Sequence, residues 1–157
     1  QHQTNWLKES AMRVYEVMSK AVETVKPKVA ASEARTRMHQ LKIHHLVVTN
    51  GTKVEGVVSE RDLGGARLPK VLGKFTVSDL MSSPAITVTT RTTLRRAATL
   101  MKGQSLGSLV VTSSNGKVAG IVTVSDLLEL LALKPEHRSN RDLRRARDMA
   151  TWDSAVD

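Results

Sequence analysis

Apolar and polar residues follow one another along this chain in an order that occurs twice. In each copy, a short run of valine and threonine precedes a segment whose apolar residues are spaced as on one face of a helix. A continuous apolar run, a polar turn and a second apolar run come next, and the copy closes with another amphipathic segment. The pattern therefore predicts strand, helix, strand, strand and helix in each copy.

These runs place the predicted elements on the chain. The helices carry the stripes Ala31, Ala34, Met38 and Leu41 in the first copy and Leu94, Ala97 and Met101 in the second. The strands are Val22–Val25, Leu46–Val48 and Val54–Val58 in the first copy and Ile86–Val88, Leu109–Val111 and Val118–Val122 in the second. Asn-Gly pairs at 50–51 and 115–116 favour hairpins between the second and third strands, since tight hairpin turns need residues that tolerate positive φ.

The two copies keep a steady register. Residues recur 63 positions later as far as the middle strand, and 64 positions later beyond one inserted residue near Ser113. The register is shown by the pairs Met18 and Met81, Leu46 and Leu109, Gly56 and Gly120, and Asp62 and Asp126. One copy alone is too small to bury both faces of a sheet. We therefore expect an α/β fold in which the two copies pack into one pseudo-symmetric module.

Segments outside the copies set the expected domain boundaries. For residues 1–11 two interpretations stay open: an N-terminal helix on the module, or an extension foreign to a protein that starts at Met12. Apolar stripes predict helices at both ends, with Leu7, Ala11, Val14 and Met18 in one and Leu143, Ala146 and Ala150 in the other. The chain divides into the extension at 1–11, a first repeat with its linker at 12–75, a second repeat at 76–133, and a polar tail at 134–157.

Composition excludes several classes of function. The 157 residues include no cysteine, which removes disulfides, thiolate zinc sites and cysteine nucleophiles and is typical of a reducing compartment. Aromatic residues make up only 3%, so stacking platforms for single-stranded nucleic acid and aromatic-lined cofactor pockets are not expected. No apolar stretch approaches the roughly 20 residues of a membrane span, and residues 1–11 lack a signal-peptide core. We expect a cytoplasmic protein that does not enter a membrane.

The formal net charge of +9 admits partners that carry phosphate, such as nucleotides, nucleic acids or acidic membranes. The excess does not lie in the arginine-rich tail, since residues 134–157 carry six bases and five acids. Residues 12–75 carry twelve bases and six acids, and residues 76–133 carry five and three. This distribution fits a cleft for a small phosphate-bearing ligand better than a tail for DNA. Nucleic-acid binding is not expected, because no DNA- or RNA-binding motif is recognisable.

The most informative segments are Gly56–Asp62 and Gly120–Asp126. Each consists of Gly, two apolar residues, Ser or Thr, two variable residues and Asp. A hydroxyl three residues before an acid is a capping box, which on its own only starts a helix. The same geometry places a hydroxyl at a helix start, where phosphate binds, and a carboxylate that can accept ribose hydroxyls, while the glycine lets a ligand approach. Its occurrence twice in register favours the binding interpretation.

On these residues the sequence resembles the CBS domain pair, also called the Bateman module. The resemblance rests on the duplicated apolar strand and Gly-hydrophobic-x-Ser/Thr-x-x-Asp segment, and it covers roughly residues 12–132. It implies two tandem β-α-β-β-α CBS repeats with flanking N- and C-terminal helices. It also implies adenosine-type ligands in the cleft between the repeats, and it leaves the tail unexplained.

The resemblance implies roles for the residues at matching positions. Ribose would be bound by Asp62 and Asp126. Phosphate would be bound by Ser59, Arg61, His44, His45, Thr123 and Ser125. The base would be lined by Glu23, Ile43, Val58, Ile86, Leu106 and Val122, with main-chain groups around Glu23 and Ile86 taking part. The second copy has Gly107 and Ser108 in place of the two histidines, so unequal sites are expected.

Several of these residues also have plainer interpretations. An arginine such as Arg61 in a first helical turn is commonly a solvated charge, whereas as a phosphate ligand it would supply a forked donor. Adjacent His44 and His45 point to opposite faces of a strand, and no carboxylate or cysteine cluster completes a site, so no metal is expected. We expect His44 to face the cleft and to be sensitive to pH near neutrality. No serine elbow, catalytic acid pair or Walker loop is recognisable, so no enzymatic activity is expected.

The implied function is a regulatory, ligand-sensing module that binds AMP, ADP or ATP between its repeats. Two alternatives stay open: binding of S-adenosylmethionine or another adenosyl ligand, and a structural or dimerisation module with empty clefts. The resemblance also implies a homodimer formed through the modules and a regulated protein partner that the sequence does not identify. A bound ligand would favour the arrangement of repeats that binds it more tightly.

Overall fold

The computed structural model of the protein describes residues 11–64 and 69–132. Within them the strands are β1 (Thr24–Val25), β2 (His45–Asn50), β3 (Lys53–Ser59), β4 (Thr87–Thr89), β5 (Ser108–Thr112) and β6 (Val118–Thr123). The helices are α1 (Ala31–Leu41), α2 (Pro69–Leu72), α3 (Val77–Leu80), α4 (Leu94–Gln104) and α5 (Val124–Ala132). A single 3-10 turn at Val14–Glu16 precedes them.

The strands form two three-stranded sheets, ordered β1-β2-β3 and β4-β5-β6. In each sheet the first strand runs parallel to the middle one, because a helix connects them, and the third strand pairs antiparallel through a hairpin. The hairpins contain Gly51 and Gly116, whose φ angles are 63° and 78°. Both carry a register shift at the equivalent place, after Val48 and after Val111. The predicted α/β fold of two packed repeats is confirmed.

One predicted element differs, since the described part of the first repeat has no helix directly after β3. Residues 60–64 form turns instead, in which the Leu63 N–H donates to the Ser59 carbonyl at 3.2 Å. Gly64 then takes a φ of 80°, a left-handed conformation that ends helical winding. In the second repeat the corresponding residues continue into α5.

The predicted helical stripes pack into the core of each repeat, with one exception. The buried members are Ala31, Ala34 and Met38 in α1 and Leu94, Ala97 and Met101 in α4. Leu41 is 45% exposed. Its neighbour Lys42 adopts a left-handed φ of 53° and turns the chain into β2, and Ser105 makes the same turn before β5.

The segment that opens the first repeat, before β1, packs on the second repeat. Val14, Val17 and Met18 are buried in the core of the second repeat. Ser19 and Ile121 of β6 exchange two backbone hydrogen bonds, of 2.9 and 3.0 Å. The N-terminal residues described therefore complete a repeat that lies far along the chain.

The segment that opens the second repeat, before β4, makes the reverse crossing. Val77 is buried in the core of the first repeat. Ser82 and Val57 of β3 exchange two backbone hydrogen bonds, of 2.9 and 3.1 Å. A boundary at residue 75 thus follows the order of the chain. In space, however, residues 14–19 and residues 77–82, which we call the lead-in segments, each pack on the opposite repeat.

Of the segment predicted as the N-terminal helix, Ala11 is helical and residues 14–16 form the 3-10 turn, while the residues before Ala11 lie outside the described part. The backbone N–H groups of Val14 and Tyr15 donate to the carbonyls of Thr92 and Thr90, at 2.8 and 3.2 Å. These bonds to the second repeat hold the segment against it and take the place of helical winding. Residues 1–10, which include Leu7, lie outside the described part, as does the tail at 134–157.

Close backbone packing explains the glycine that opens each motif segment. A Cβ on Gly56 would lie 2.5 Å from the Ser82 carbonyl oxygen and 2.8 Å from Met81 Sδ. A Cβ on Gly120 would lie 2.8 Å from the Ser19 carbonyl oxygen. The prediction that these glycines make room for a ligand is therefore wrong: they make room for the crossing segments.

A third apolar cluster joins the two sheets. Val47, Val110 and Ile121 are buried in it. The half-buried residues packed against them are Val22, Val54, Val57, Ala85 and Val118. Because strand side chains alternate between faces, the strands that fill the repeat cores also supply this shared layer. No helix among the described residues is long and apolar enough to cross a membrane.

We predict that Gly56→Ala lowers the free energy of unfolding by about 1–3 kcal/mol, as expected when a carbon is forced into a packed site. The added carbon would meet a backbone oxygen, which cannot rotate away. Gly103→Ala in α4 is the matched control, because nothing lies within 4 Å of its Cβ and alanine favours a helix. Urea denaturation compares the two, and a Gly56→Ala variant as stable as wild type would contradict the close packing.

Candidate functional site

The Ser59–Asp62 segment closes into a small hydrogen-bonded box. The backbone N–H and the hydroxyl of Ser59 both donate to Asp62 Oδ2, each at 2.7 Å. The Asp62 N–H donates back to Ser59 Oγ at 3.2 Å. These bonds are those of a capping box, and they hold the half-buried carboxylate at the end of β3.

Thr123 and Asp126 form the same box at the end of β6. Asp126 Oδ2 accepts from the Thr123 N–H at 2.7 Å and from its hydroxyl at 2.9 Å. The Asp126 N–H donates to Thr123 Oγ1 at 3.2 Å. Both boxes use Oδ2 alone, so Oδ1 of each carboxylate takes no part in capping.

A cleft of about 450 Å³ opens beside Asp62, and both repeats line it. The first repeat contributes the box and the two histidines, and the second contributes the chain before β4 and before β5. This Asp62 cleft is lined by His44, His45, Val57, Ser59, Glu60, Arg61, Asp62, Ser82, Pro84, Ala85, Ile86, Ser105, Leu106, Gly107, Ser108, Val124 and Ser125.

A second cleft, of about 170 Å³, opens beside Asp126. This Asp126 cleft is lined by Ser19, Ala21, Val22, Glu23, Ile43, His44, His45, Val47, Ile121, Thr123, Ser125 and Asp126. His44, His45 and Ser125 belong to both clefts. The two clefts therefore share a wall where the repeats meet.

Most of the predicted site residues line these clefts. The Asp62 cleft brings together Ser59, Arg61, Asp62, Ile86 and Leu106, and the Asp126 cleft brings together Glu23, Ile43, Thr123 and Asp126, with His44, His45 and Ser125 between them. Their assignment to ribose, phosphate and base stays a prediction.

Val58 and Val122, which were expected to line the base, lie elsewhere. Both are fully buried within the repeat cores. Side chains alternate along a strand, so it is the preceding residues, Val57 and Ile121, that face the clefts. The sequence therefore predicts the correct strands, β3 and β6, but the wrong face of each.

His44, the histidine expected to face the cleft, lies at its rim with 74% of its side chain exposed. Its Nδ1 is 2.7 Å from Glu60 Oε2, and His39 Nε2 is 3.1 Å from Glu60 Oε1. The hydrogen bond with His44 lowers the pKa of the Glu60 carboxyl, and the bond with His39 acts in the same direction. Two imidazoles thus hold this carboxylate at the mouth of the Asp62 cleft.

His45 lies deeper, half-buried between the two clefts. A Cβ on Gly107, across the Asp62 cleft, would be 3.4 Å from its Nε2. Burial lowers the pKa of His45, and nearby His44 acts in the same direction, while Asp62 and Asp126 act in the opposite one. Both histidines line the clefts, and His45 is the more enclosed of the two.

Sequence reasoning misses several cleft residues. Glu60 occupies a variable position of the motif, and no spacing shows that it lies between His39 and His44. Ser82 and Ser19 reach the clefts because the lead-in segments cross. Their separation of 63 residues is a signal that pairs them, although it does not show which repeat each one joins.

The groups that line the clefts suit the binding of a polar ligand with an apolar part. Carboxylates accept hydrogen bonds from hydroxyls, hydroxyl groups can donate to anionic oxygens, and aliphatic side chains offer an apolar wall. In the part of the chain that the structure describes, no group of three or more His, Asp or Glu side chains could hold a metal ion.

Comparison with known proteins identifies the family. The sequence model of the CBS domain matches residues 14–66 and again residues 77–133. The chain belongs to the CBS domain family. Its two matches make it a CBS pair, and each of the two sheets belongs to one CBS repeat.

Known relatives resemble this CBS pair over most of its length. A CBS domain-containing protein of Dictyostelium discoideum is 32% identical over 131 residues, which are 75% of this chain and 90% of that protein. The chain spans 21% and 63% of the length of two further curated relatives.

Solved structures of CBS proteins have the same fold. CBSX2, solved in complex with AMP, is 27% identical with a TM-score of 0.62, covering 76% of this chain and 95% of that one. The CBS domain pair of protein MJ0100, solved with 5'-methylthioadenosine and S-adenosyl-L-methionine, has a TM-score of 0.68 and 23% identity, covering 77% and 96%. At that identity the second likeness shows the fold alone.

We predict that acid weakens the CBS pair through His45. The fold holds the pKa of His45 below its ordinary value. Below about pH 6.5 the unfolded chain therefore binds a proton that the folded protein does not, and stability falls. The contribution of neutral His45 is present above that pH and is lost below it. Urea denaturation between about pH 8 and pH 5.5 should show a smaller loss for His45→Gln than for wild type, and identical losses would contradict this.

Proposed function

We propose that this CBS pair is a regulatory module that senses AMP, ADP or ATP in the cleft between its two repeats. One observation carries the proposal: the Ser59–Asp62 box opens into a cleft that both repeats line. A box that served only to start a helix would be followed by one, yet residues 60–64 form turns. The hydroxyl–carboxylate pair therefore lies beside the cleft with only this short turn after it.

Asp62 supplies the group that would bind the ribose. Its Oδ2 accepts two hydrogen bonds from Ser59, and its Oδ1 takes no part in the box. A carboxylate held in this way can accept hydrogen bonds from both ribose hydroxyls, as the acidic residue of dinucleotide-binding folds does. The Asp126 box offers the same pair of groups in the other cleft.

The rest of the Asp62 cleft suits a base and a phosphate on either side of the ribose. Ile86 and Leu106 are half-buried aliphatic residues that can hold a planar base without an aromatic partner. Arg61, beside Asp62, is exposed and permanently charged, and its guanidinium fits phosphate oxygens in a forked manner. The half-buried hydroxyl of Ser59 lies at the same end of the cleft.

The ligands of related structures support this class of ligand. CBSX2 was solved with AMP, and the MJ0100 pair was solved with two adenosyl compounds. S-Adenosylmethionine is therefore the second ligand candidate for this chain. An adenine base and a ribose are common to all of these compounds.

Regulation would follow from the position of the cleft. A ligand that touches both repeats binds most tightly to one arrangement of them, and its binding energy shifts the population toward that arrangement. The apolar layer around Val47 and Val110 is the contact on which such a shift would act. The mechanism involves no covalent step, and the protein that reads the change is a partner still to be identified.

We predict that Asp62→Ala weakens AMP binding at least about tenfold, because hydrogen bonds to a charged group are worth about 1.5–3 kcal/mol. Asp79→Ala is the matched control. Asp79 accepts from the Thr76 N–H and hydroxyl, at 2.7 and 2.8 Å, in a box that lines neither cleft. Calorimetry with AMP, ADP, ATP and S-adenosylmethionine makes the measurement. Binding of none of them at millimolar concentration, or unchanged AMP binding in Asp62→Ala, would refute the proposal.

A second candidate function, pairing of two copies of this chain, is favoured by the surface of α5. Leu128 and Leu131 are 60% and 65% exposed. They lie one turn apart on an apolar helix, as residues do that a second helix covers. A homodimer formed through this surface is compatible with ligand sensing, and it would also exist without ligand in a purely structural module.

We predict that wild type is a dimer in light scattering and that Leu128→Gln combined with Leu131→Gln makes it monomeric. Leu41→Gln is the control, since Leu41 is 45% exposed but lies at the end of α1. A monomeric wild-type protein would contradict pairing. A dimer in which AMP neither binds nor changes the size or stability would favour the structural function over sensing.

A further inference from the structure

The repeat register matches the two clefts position by position and shows where they differ. Arg61 in the first motif segment corresponds to Ser125 in the second, 64 residues later. Ile86 in the Asp62 cleft corresponds to Glu23 in the Asp126 cleft, 63 residues earlier. The clefts therefore differ in charge at these two equivalent positions and at a third, where Glu60 corresponds to Val124, although both keep the same hydroxyl–carboxylate box.

The Asp62 cleft presents a cation to an incoming anion. Arg61 is exposed and lines this cleft but not the other one. The carboxylate of its neighbour Glu60 is already engaged by His44 and His39, at 2.7 and 3.1 Å. A phosphate placed here can form charge-assisted hydrogen bonds with the guanidinium.

The Asp126 cleft presents carboxylates without such a cation. Its lining residues in the described part of the chain include no lysine or arginine. Arg37 binds Glu23 at 2.6 Å and donates its other terminal nitrogen to the Thr24 carbonyl at 2.9 Å, so its donors are committed outside the cleft. A phosphate dianion would meet the Asp126 carboxylate with no lysine or arginine in the described cleft lining to offset it, because Arg37 is already paired with Glu23.

The clefts also differ in the room they offer. The Asp126 cleft has about 170 Å³, against about 450 Å³ for the Asp62 cleft. A ligand that ends at the ribose or carries a small 5' group needs less space than a nucleotide with its phosphates. The small volume of the Asp126 cleft and the absence of a lysine or arginine from its described lining therefore both favour a ligand without phosphate.

We infer that the two clefts take different chemical classes of ligand. The Asp62 cleft takes a phosphate-bearing adenine nucleotide, and the Asp126 cleft takes an adenosine-type ligand without phosphate, neutral or positively charged. This inference rests on the proposed function and adds which class of ligand belongs to which cleft. Because His44, His45 and Ser125 form a common wall, one chain can respond to both classes together.

Calorimetry on the full chain tests the inference with AMP as the phosphate-bearing probe. Wild type is expected to bind one AMP per chain, and this binding is lost in Asp62→Ala and kept in Asp126→Ala. AMP-saturated wild type is expected to bind one further molecule of adenosine, 5'-methylthioadenosine or S-adenosylmethionine, and Asp126→Ala abolishes that second event. Two AMP sites of equal affinity, or an AMP-saturated protein that binds none of the three, would overturn the inference.

A substitution at Arg61 tests separately how the charge of the Asp62 cleft affects phosphate binding. In an Asp126→Ala background, which leaves only the Asp62 cleft, Arg61→Ser is expected to weaken AMP binding about tenfold while adenosine binding changes less than twofold. Arg96→Ser, an exposed arginine on α4 away from both clefts, is the control and keeps AMP affinity. Equal losses for AMP and adenosine in Arg61→Ser would overturn the inference. A wild-type protein that binds adenosine but not AMP would instead refute the proposed function itself.

Discussion

The two repeats are held together by the exchange of their lead-in segments. Each segment forms backbone hydrogen bonds with the third strand of the opposite repeat and buries valines in its core, Val14 in one case and Val77 in the other. The contact is so close that only glycine fits beneath it, at Gly56 and Gly120. Each repeat therefore supplies part of the other's core, and the two pack as one unit.

The same exchange creates the two clefts. By crossing, each lead-in segment brings its end beside the hydroxyl–carboxylate box of the other half of the module, and a ligand there meets both repeats. Pseudo-symmetry sets the common parts, Asp62 and Asp126. Divergence between the copies then sets the differences, with Arg61 facing one cleft and Glu23 the other. Duplication has in this way produced two related pockets of unlike charge.

The hydrophobic pattern predicts the strands, the two long helices and their buried stripes, because period and register are local properties of the chain. It does not predict which repeat Val14 joins, since crossing is a long-range choice between two similar cores. Periodicity does not show which face of β3 points to the cleft. The sequence therefore predicts Val58 at the base, whereas Val57 lines the cleft. The sequence does not predict the contacts of Glu60 either, because the imidazoles of His39 and His44 reach it from separate parts of the fold.

A crystal structure of the protein grown with AMP is the most direct measurement. We expect the ribose hydroxyls within hydrogen-bond distance of the Asp62 carboxylate, the phosphate on Arg61, and the base between aliphatic side chains that include Ile86. AMP bound away from Asp62, or clefts that hold none at a saturating concentration, would contradict the claim that this CBS pair senses an adenine nucleotide.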